Sequence, residues 1–431
     1  MKYAHLADLH LGSWRDEEMR KLSTATFEKA INSCINQKVD FILFAGDIFN
    51  NALPAIDIVN FLAFTLQKLK KLDIPLYVIP GSHDFSPTNR SMIDVLESAG
   101  LLTNVCKGSI NKETKLLELN YTTDPKTKAK ITGILGRRGM LGSTYYENLN
   151  REKLESEPGY KIFMFHTTLT ELKPKHLEML DSCPASFLPK NQDYYAGGHI
   201  HHRTIVEIPG FGPMTYTGAL FPNNFSELKK YSNGGFYIIE TSNQDLNKTE
   251  ITSSEQKKST QIITYHPIKI KDHIHLEISA KSKTPETLQE EIIDYFQTKN
   301  KQTPIIDKII TISVNGKLEK GKASDIKWGD IFKTLGTLGA YHVLKNDLKI
   351  QTQEYQEFLQ AGDTTDSKLI EESLIKEHLG QFKTFNKQTE LDLIKNLLSS
   401  LNTSKKEAEK TSDFQKRIKQ DINVLLANNN H

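Results

Sequence analysis

Along the first eighty residues, apolar positions alternate between two periods. Residues 3–7 form a short, mostly apolar run that ends in polar residues and reads as a strand. Over 19–36, Leu22, Phe27, Ala30, Ile31, Cys34 and Ile35 fall at helical spacing. Phe41-Ile42-Leu43-Phe44-Ala45 is unbroken apolar sequence, the pattern of a strand buried on both faces. Val59, Leu62, Leu66 and Leu69 mark a second helix, and Leu76-Tyr77-Val78-Ile79 a third strand. Strands separated by helices of this length predict right-handed crossovers and a largely parallel sheet. After Gly100 the pattern turns towards β. Segments 116–121, 130–135, 161–165, 204–208, 214–217 and 235–240 all read as strands, and a second sheet packed on the first accommodates them.

A polar stretch over 241–260 marks a domain edge. Beyond it a small β-α-β-α-β unit is predicted. Its strands are 274–278, 309–314 and 341–344, and its helices run to Phe296 behind the cap Thr284 and first-turn Pro285, and over 326–335. Two amphipathic helices follow. Leu369, Ile370, Leu374, Ile375, Leu379 and Phe382 line one; Leu391, Ile394, Leu397, Leu398 and Leu401 line the other. The reading is therefore a main domain over 1–241, a small α/β domain over 261–350, a linker over 351–367, a helical docking segment over 368–402 and a charged flexible tail over 403–431.

Composition narrows the class. At 431 residues, two or three domains are expected, and 38% hydrophobic with 25% charged residues excludes a membrane protein, a collagen-like fibre and a wholly disordered chain. The formal net charge of +2 announces no nucleic-acid partner, so any basic groove must be local. Three cysteines without CxxC spacing exclude a disulfide framework and a zinc finger, and fit a reducing cytosol. Asp8 comes too early for a signal-peptide core, and no apolar run approaches the roughly 20 residues of a membrane helix. The expectation is a soluble, cytoplasmic protein with no membrane partner.

The chemistry lies where the predicted strands end. Asp8-Leu9-His10 follows the first strand, Gly46-Asp47 the second and Gly81-Ser82-His83-Asp84 the third; His166 and Gly198-His199-Ile200-His201 end two later ones. In open α/β sheets the ligand crevice lies at the carboxyl ends of strands, so these residues should converge. A mixed carboxylate–imidazole set suits Mn, Fe or Zn. Each block alone is weak, since a lone Asp at a strand end is usually a cap or turn former. The remaining nine histidines, His5 among them, read as ordinary surface or core residues. All five blocks in order point to one metal site.

These blocks, with His5-Leu6-Ala7 before the first and Ile48-Phe49 after the second, resemble the calcineurin-like metallophosphoesterases. More narrowly they are similar to the SbcD-type nucleases of DNA double-strand-break repair. The resemblance implies a four-layer α/β/β/α sandwich with a small DNA-capping α/β domain and C-terminal helices. It implies that Asp8, His10 and His201 hold one Mn2+ and that His166 and His199 hold a second. Asp47 then bridges the two, the Ser82 position completes the ligands, and His83 touches the scissile phosphate. Mg2+, Fe2+ and Zn2+ rank behind Mn2+. The implied activity is a manganese-dependent exo- and endonuclease acting on DNA ends without sequence preference. The implied partners are an SbcC-type ABC ATPase docked on the C-terminal helices and a second copy of the chain, with Phe61, Phe64 and Leu96 as contributors to the homodimer.

Two departures stand out. Ser82 occupies a position where the family has Asn, and Asn50 one where many relatives have His; both bear on the second metal and on catalysis. Arg90, Arg137, Arg138 and Arg203 are candidates for holding phosphates. Two other functions stay open on the residues alone: a metallophosphoesterase acting on another phosphodiester, and a DNA-end-binding scaffold with weakened catalysis.

Overall fold

A computed structural model describes residues 1–85, 91–137, 141–174, 181–241, 261–351, 375, 379, 386–401, 403 and 411–427. It is a mixed α/β chain in two compact units. The first holds Met1–His275, Ile306–Thr311 and Ala340–Leu344; the second holds Leu276–Ile305, Ile312–Gly339 and Lys345–His431.

The first unit begins with β1 (Lys2–Leu6), β2 (Phe41–Ala45), β3 (Leu76–Ile79), β4 (Thr103–Asn104), β5 (Gly108–Ile110), β6 (Leu117–Leu119) and β7 (Thr122–Thr123). It continues with β8 (Lys130–Ile134), β9 (Lys161–His166), β10 (Tyr194–Gly198), β11 (Thr204–Val206), β12 (Met214–Tyr216), β13 (Gly234–Thr241) and β14 (Gln261–Ile268). Six of these make one sheet in the order β14-β13-β1-β2-β3-β4, and six another in the order β11-β12-β10-β9-β8-β7. β1 to β4 are parallel, as are β12, β10, β9 and β8.

The five buried residues of β2 show why the sheets stack. Successive side chains of a strand point to opposite faces. Phe41, Leu43 and Ala45 thus enter a core between the sheets, with Tyr3, Tyr77, Ile131, Ile162, Met164 and Tyr194. Ile42 and Phe44 face the other way, onto α1 (Glu17–Asn36) and α2 (Ile56–Lys71), through Phe27, Ala30, Ile31, Leu62 and Leu66. Each such side chain, fully buried, contributes about 1.5–3 kcal/mol. Asp16 starts α1 by accepting the Met19 amide at 3.0 Å, with Glu17 and Glu18 in the first turn complementing the helix dipole. The outer face of the second sheet packs Phe163, Phe165, Tyr195 and Tyr216 on Tyr146, Leu149, Leu154 and Leu169, which lie in short helices and loops.

The second unit forms around a three-stranded sheet of β15 (His273–Ser279), β16 (Ile309–Lys317) and β17 (His342–Gln351), whose strands begin in the first unit. Its helix Pro285–Gln302 starts as expected, with Thr284 as cap and proline in the first turn.

Three readings of the sequence need correction. Residues 261–268, placed at the start of the small domain, pair along their whole length with β13 and belong to the first sheet. As an edge strand carrying Pro267, β14 gives no clean buried run to read. The tail expected to be flexible contains a helix, Thr411–Ala427, on which Phe414, Ile418, Ile422 and Leu425 recur at helical spacing, and it packs on Lys387–Leu401. Leu96, offered for a dimer face, is 3% exposed and lies in the core beside α1 and α2. Of the proposed first docking helix only residues 375 and 379 fall among the described residues, and 352–367 of the linker lie outside them. No helix among the described residues is long and apolar enough to cross a membrane.

His5 gives the fold a pH dependence. Fully buried, its Nδ1 lies 3.0 Å from the Tyr194 hydroxyl and 3.2 Å from that of Thr215, and burial pushes its pKa down to about 3. Below pH 6.5 the unfolded chain takes up a proton that the folded chain refuses, so stability falls as pH falls, by up to about 1.4 kcal/mol per unit. His5→Leu is expected to flatten urea-unfolding stability between about pH 6.5 and 4 relative to wild type. Identical slopes would show that His5 does not set it.

Candidate metal centre

The first site loops extend the parallel pairing of β1 and β2. The Asp8 amide donates to the Gly46 carbonyl at 3.1 Å, His10 to Asp47 at 3.0 Å and Leu11 to Ile48 at 3.0 Å, so Asp8 and Asp47 emerge side by side. His166 is the last residue of β9, and His199 directly follows β10. Strand ends from both sheets thereby meet at one edge. Asp8, His10, Asp47 and His199 all take left-handed backbone, with φ of 50°, 40°, 50° and 89°. Such conformations cost L-residues roughly 1–2 kcal/mol each, strain that a functional site retains. Gly46, at φ 89°, has no alternative: a Cβ there would lie 2.2 Å from His166 Nδ1.

All eight residues singled out in the sequence come together. Donor atoms of Asp8, His10 and His201 lie within 4.8 Å of one another, as do those of Asp47, His166 and His199, and of His10, Asp47 and His83. Asp47 is common to two of these groups. Its Oδ2 lies 3.2 Å from His166 Nε2 and 3.6 Å from His10 Nε2, and accepts from the Ser82 hydroxyl at 3.4 Å. Its Oδ1 accepts the His83 amide at 2.7 Å. His10 Nε2 and His201 Nε2 are 3.2 Å apart, and Asp8 Oδ1 is 4.0 Å from His201 Nε2.

Backbone carbonyls set the tautomers of two imidazoles. His166 Nδ1 donates to the Ala45 carbonyl at 2.8 Å, which turns its Nε2 towards Asp47. His83 Nδ1 donates to the Asn50 backbone carbonyl at 2.8 Å. Burial alone would lower His166, but the Asp47 carboxylate beside it raises its pKa to about 9. Asp47 itself is held well below the usual carboxylate range, its burial outweighed by the field of His166 and His10. Burial pushes His10 down to about 3 and His199 to about 4. A field that favours a proton on His166 Nε2 favours a metal cation equally. Among the described residues the buried His10 Nδ1 has no hydrogen-bond partner, and two carboxylates among four imidazoles form a donor set that fits divalent metal.

Two functional positions escaped the sequence reading. Asp84, quoted in its motif without a role, is buried and accepts the amides of Gly81 at 2.8 Å, Phe49 at 3.0 Å and Ile48 at 3.3 Å, tying the Asp47 loop to the Ser82–His83 loop. Burial raises its pKa to about 6. Glu227 accepts from His201 Nδ1 at 3.0 Å and had no local signal at all. Of the candidate arginines, Arg137 lies against the Phe85 and Tyr145 rings and Arg203 stacks 4.3 Å above Tyr265; Arg90 and Arg138 lie outside the described residues.

Two sheets deliver imidazoles and carboxylates to a shared edge, a donor set that suits a divalent metal. Residues 1–203 match the family model described as calcineurin-like phosphoesterase. The chain is 29% identical over 246 residues to the DNA double-strand break repair protein Mre11 of Archaeoglobus fulgidus, covering 53% of this chain and 52% of that protein. It is 28% identical to the Mre11 protein of Methanococcus maripaludis, over 58% of this chain and 66% of the other. With a component of the nuclease SbcCD from Staphylococcus saprophyticus it shares 25% identity over 57% and 67% of the two chains. The chain thus spans about half to two thirds of the relatives it matches.

Removing the Asp84 acceptor should loosen the loops before it alters any donor. Asp84→Asn, which keeps one acceptor oxygen, is expected to lower stability by about 1–3 kcal/mol, and Asp84→Ala by more. Urea unfolding measures both; Asp84→Ala as stable as wild type would show that water takes over the three amides.

Proposed function

We propose that this chain is a manganese-dependent DNA exo- and endonuclease that processes double-strand break ends. The observation that carries the reading is Asp47, whose carboxylate is shared by donor groups on either side of it. In this reading Asp8, His10 and His201 hold one Mn2+, His166 and His199 the other, and Asp47 both, with Ser82 completing the second set. Bound there, a pair of divalent ions supplies Lewis-acid charge for the phosphodiester and a water of lowered pKa. His83 would contribute the proton chemistry: its Nδ1 donates to the Asn50 carbonyl, so the protonated imidazolium would give its second proton, on Nε2, to the leaving oxygen. DNA as substrate draws support from relatives named for double-strand-break repair and for nuclease function.

The same likeness supports an SbcC-type ABC ATPase as partner, docked on the C-terminal helices, of which Lys387–Leu401 carries the exposed Leu398 and Leu401. The reading also includes a homodimer, for which α2 offers Phe64 at 75% and Ile56 at 87% exposure. A soluble DNA-repair enzyme of this kind would work in the cytoplasm.

Asp47→Ala is expected to abolish manganese binding and manganese-dependent cleavage of linear duplex DNA, with circular dichroism unchanged. Substantial cleavage by that variant would sink the shared-carboxylate reading. His83→Ala should bind manganese as wild type does while cleaving about 10²–10⁴-fold more slowly. Ser82 tests the second set independently. An Asn carbonyl reaches further and is the better neutral donor, so Ser82→Asn should tighten the weaker manganese site and lower the manganese needed for half-maximal cleavage. Unchanged titration and rate would remove Ser82 from that set.

A further inference from the structure

Glu227 lies in a seven-residue helix, Phe225–Tyr231, outside every motif legible in the sequence. Its Oε1 accepts from His201 Nδ1 at 3.0 Å and from the Asn224 side-chain amide at 2.7 Å; its Oε2 accepts the Asn223 amide at 2.9 Å. Both oxygens are thus fixed, and the side chain is only 18% exposed. The helix cannot drift. Leu228 is fully buried against Met19, Leu22, Phe221 and Ile309, and the Ser232 hydroxyl lies 3.1 Å from His273 Nδ1.

A carboxylate accepts hydrogen bonds and offers none, so the neutral imidazole facing it carries its proton on Nδ1. The Nε2 lone pair of His201 is then aimed at Asp8 Oδ1 and His10 Nε2, inside the donor group. His166 and His83 receive the same support from the neutral carbonyls of Ala45 and Asn50. A charged acceptor does more, because it also makes the imidazole a stronger donor to a cation. We propose that Glu227 is a positioning residue of the metal centre, fixing the tautomer and ring orientation of His201 and strengthening the Asp8–His10–His201 group. This rests on the metal reading of the site.

The test is calorimetric titration of the full chain with manganese alone, for wild type, Glu227→Gln and Glu227→Ala. It is paired with 15N-histidine NMR of the imidazole tautomers, the His201 signals assigned with His201→Asn. Glu227→Ala is expected to weaken one manganese site roughly ten- to a hundredfold and to shift His201 away from the Nδ1–H tautomer. Glu227→Gln keeps an acceptor oxygen without the charge, so it should hold the tautomer and lose less affinity. A purely structural helix would lower the melting temperature of Glu227→Ala and leave both readouts in place. Wild-type affinity or an unchanged tautomer in Glu227→Ala, beside a wild type that binds, overturns this inference alone. A wild type that binds no manganese overturns the metal reading and this inference with it.

Discussion

The site depends on one carboxylate. Asp47 sits at the end of a fully buried strand, in left-handed backbone, with one oxygen fixed by the His83 amide and the other facing His166 and His10. With little water to solvate it, its charge governs every neighbouring equilibrium. It raises the pKa of His166 beside it. Removing that single charge would leave the imidazoles in place without the field that couples them.

Holding that carboxylate is a task for the whole first unit. Close backbone pairing between the loops after β1 and β2 places Asp8 next to Asp47, and Asp84 binds the third loop to the second through three amides. The core between the sheets brings β9 and β10 beneath the same edge, so that His166 and His199 arrive from the opposite side. Strained conformations at Asp8, His10, Asp47 and His199 oppose folding by a few kcal/mol in all. The buried aliphatic and aromatic contacts of three clusters offset that cost many times over.

Support of the histidines follows a graded scheme. Neutral carbonyls of Ala45 and Asn50 hold His166 and His83, while a carboxylate holds His201. Asn50 shows why residue identity alone misleads. The contact it makes with His83 comes from its backbone oxygen, which any residue supplies. Ser82, by contrast, meets Asp47 through its side chain.

Much of this was written in the sequence. Unbroken apolar runs such as 41–45 and 76–79 fixed the strands to the residue, because a strand buried on both faces tolerates no polar position. The motif residues were legible because each follows directly on such a strand, where backbone geometry leaves little freedom. What the sequence could not show were long-range partners. Glu227 meets His201 across 26 residues, and β14 pairs with β13 beyond a polar stretch; neither contact leaves a local periodic trace. Helix 411–427 was hidden among charged residues, and Leu96 looked exposed until the core closed over it. The sequence alone determined which motif residues stand at strand ends, since local pattern dictates strand ends and turns. Only the tertiary structure decided their distances, tautomers and charges, since these depend on burial and on contacts between segments far apart in the chain.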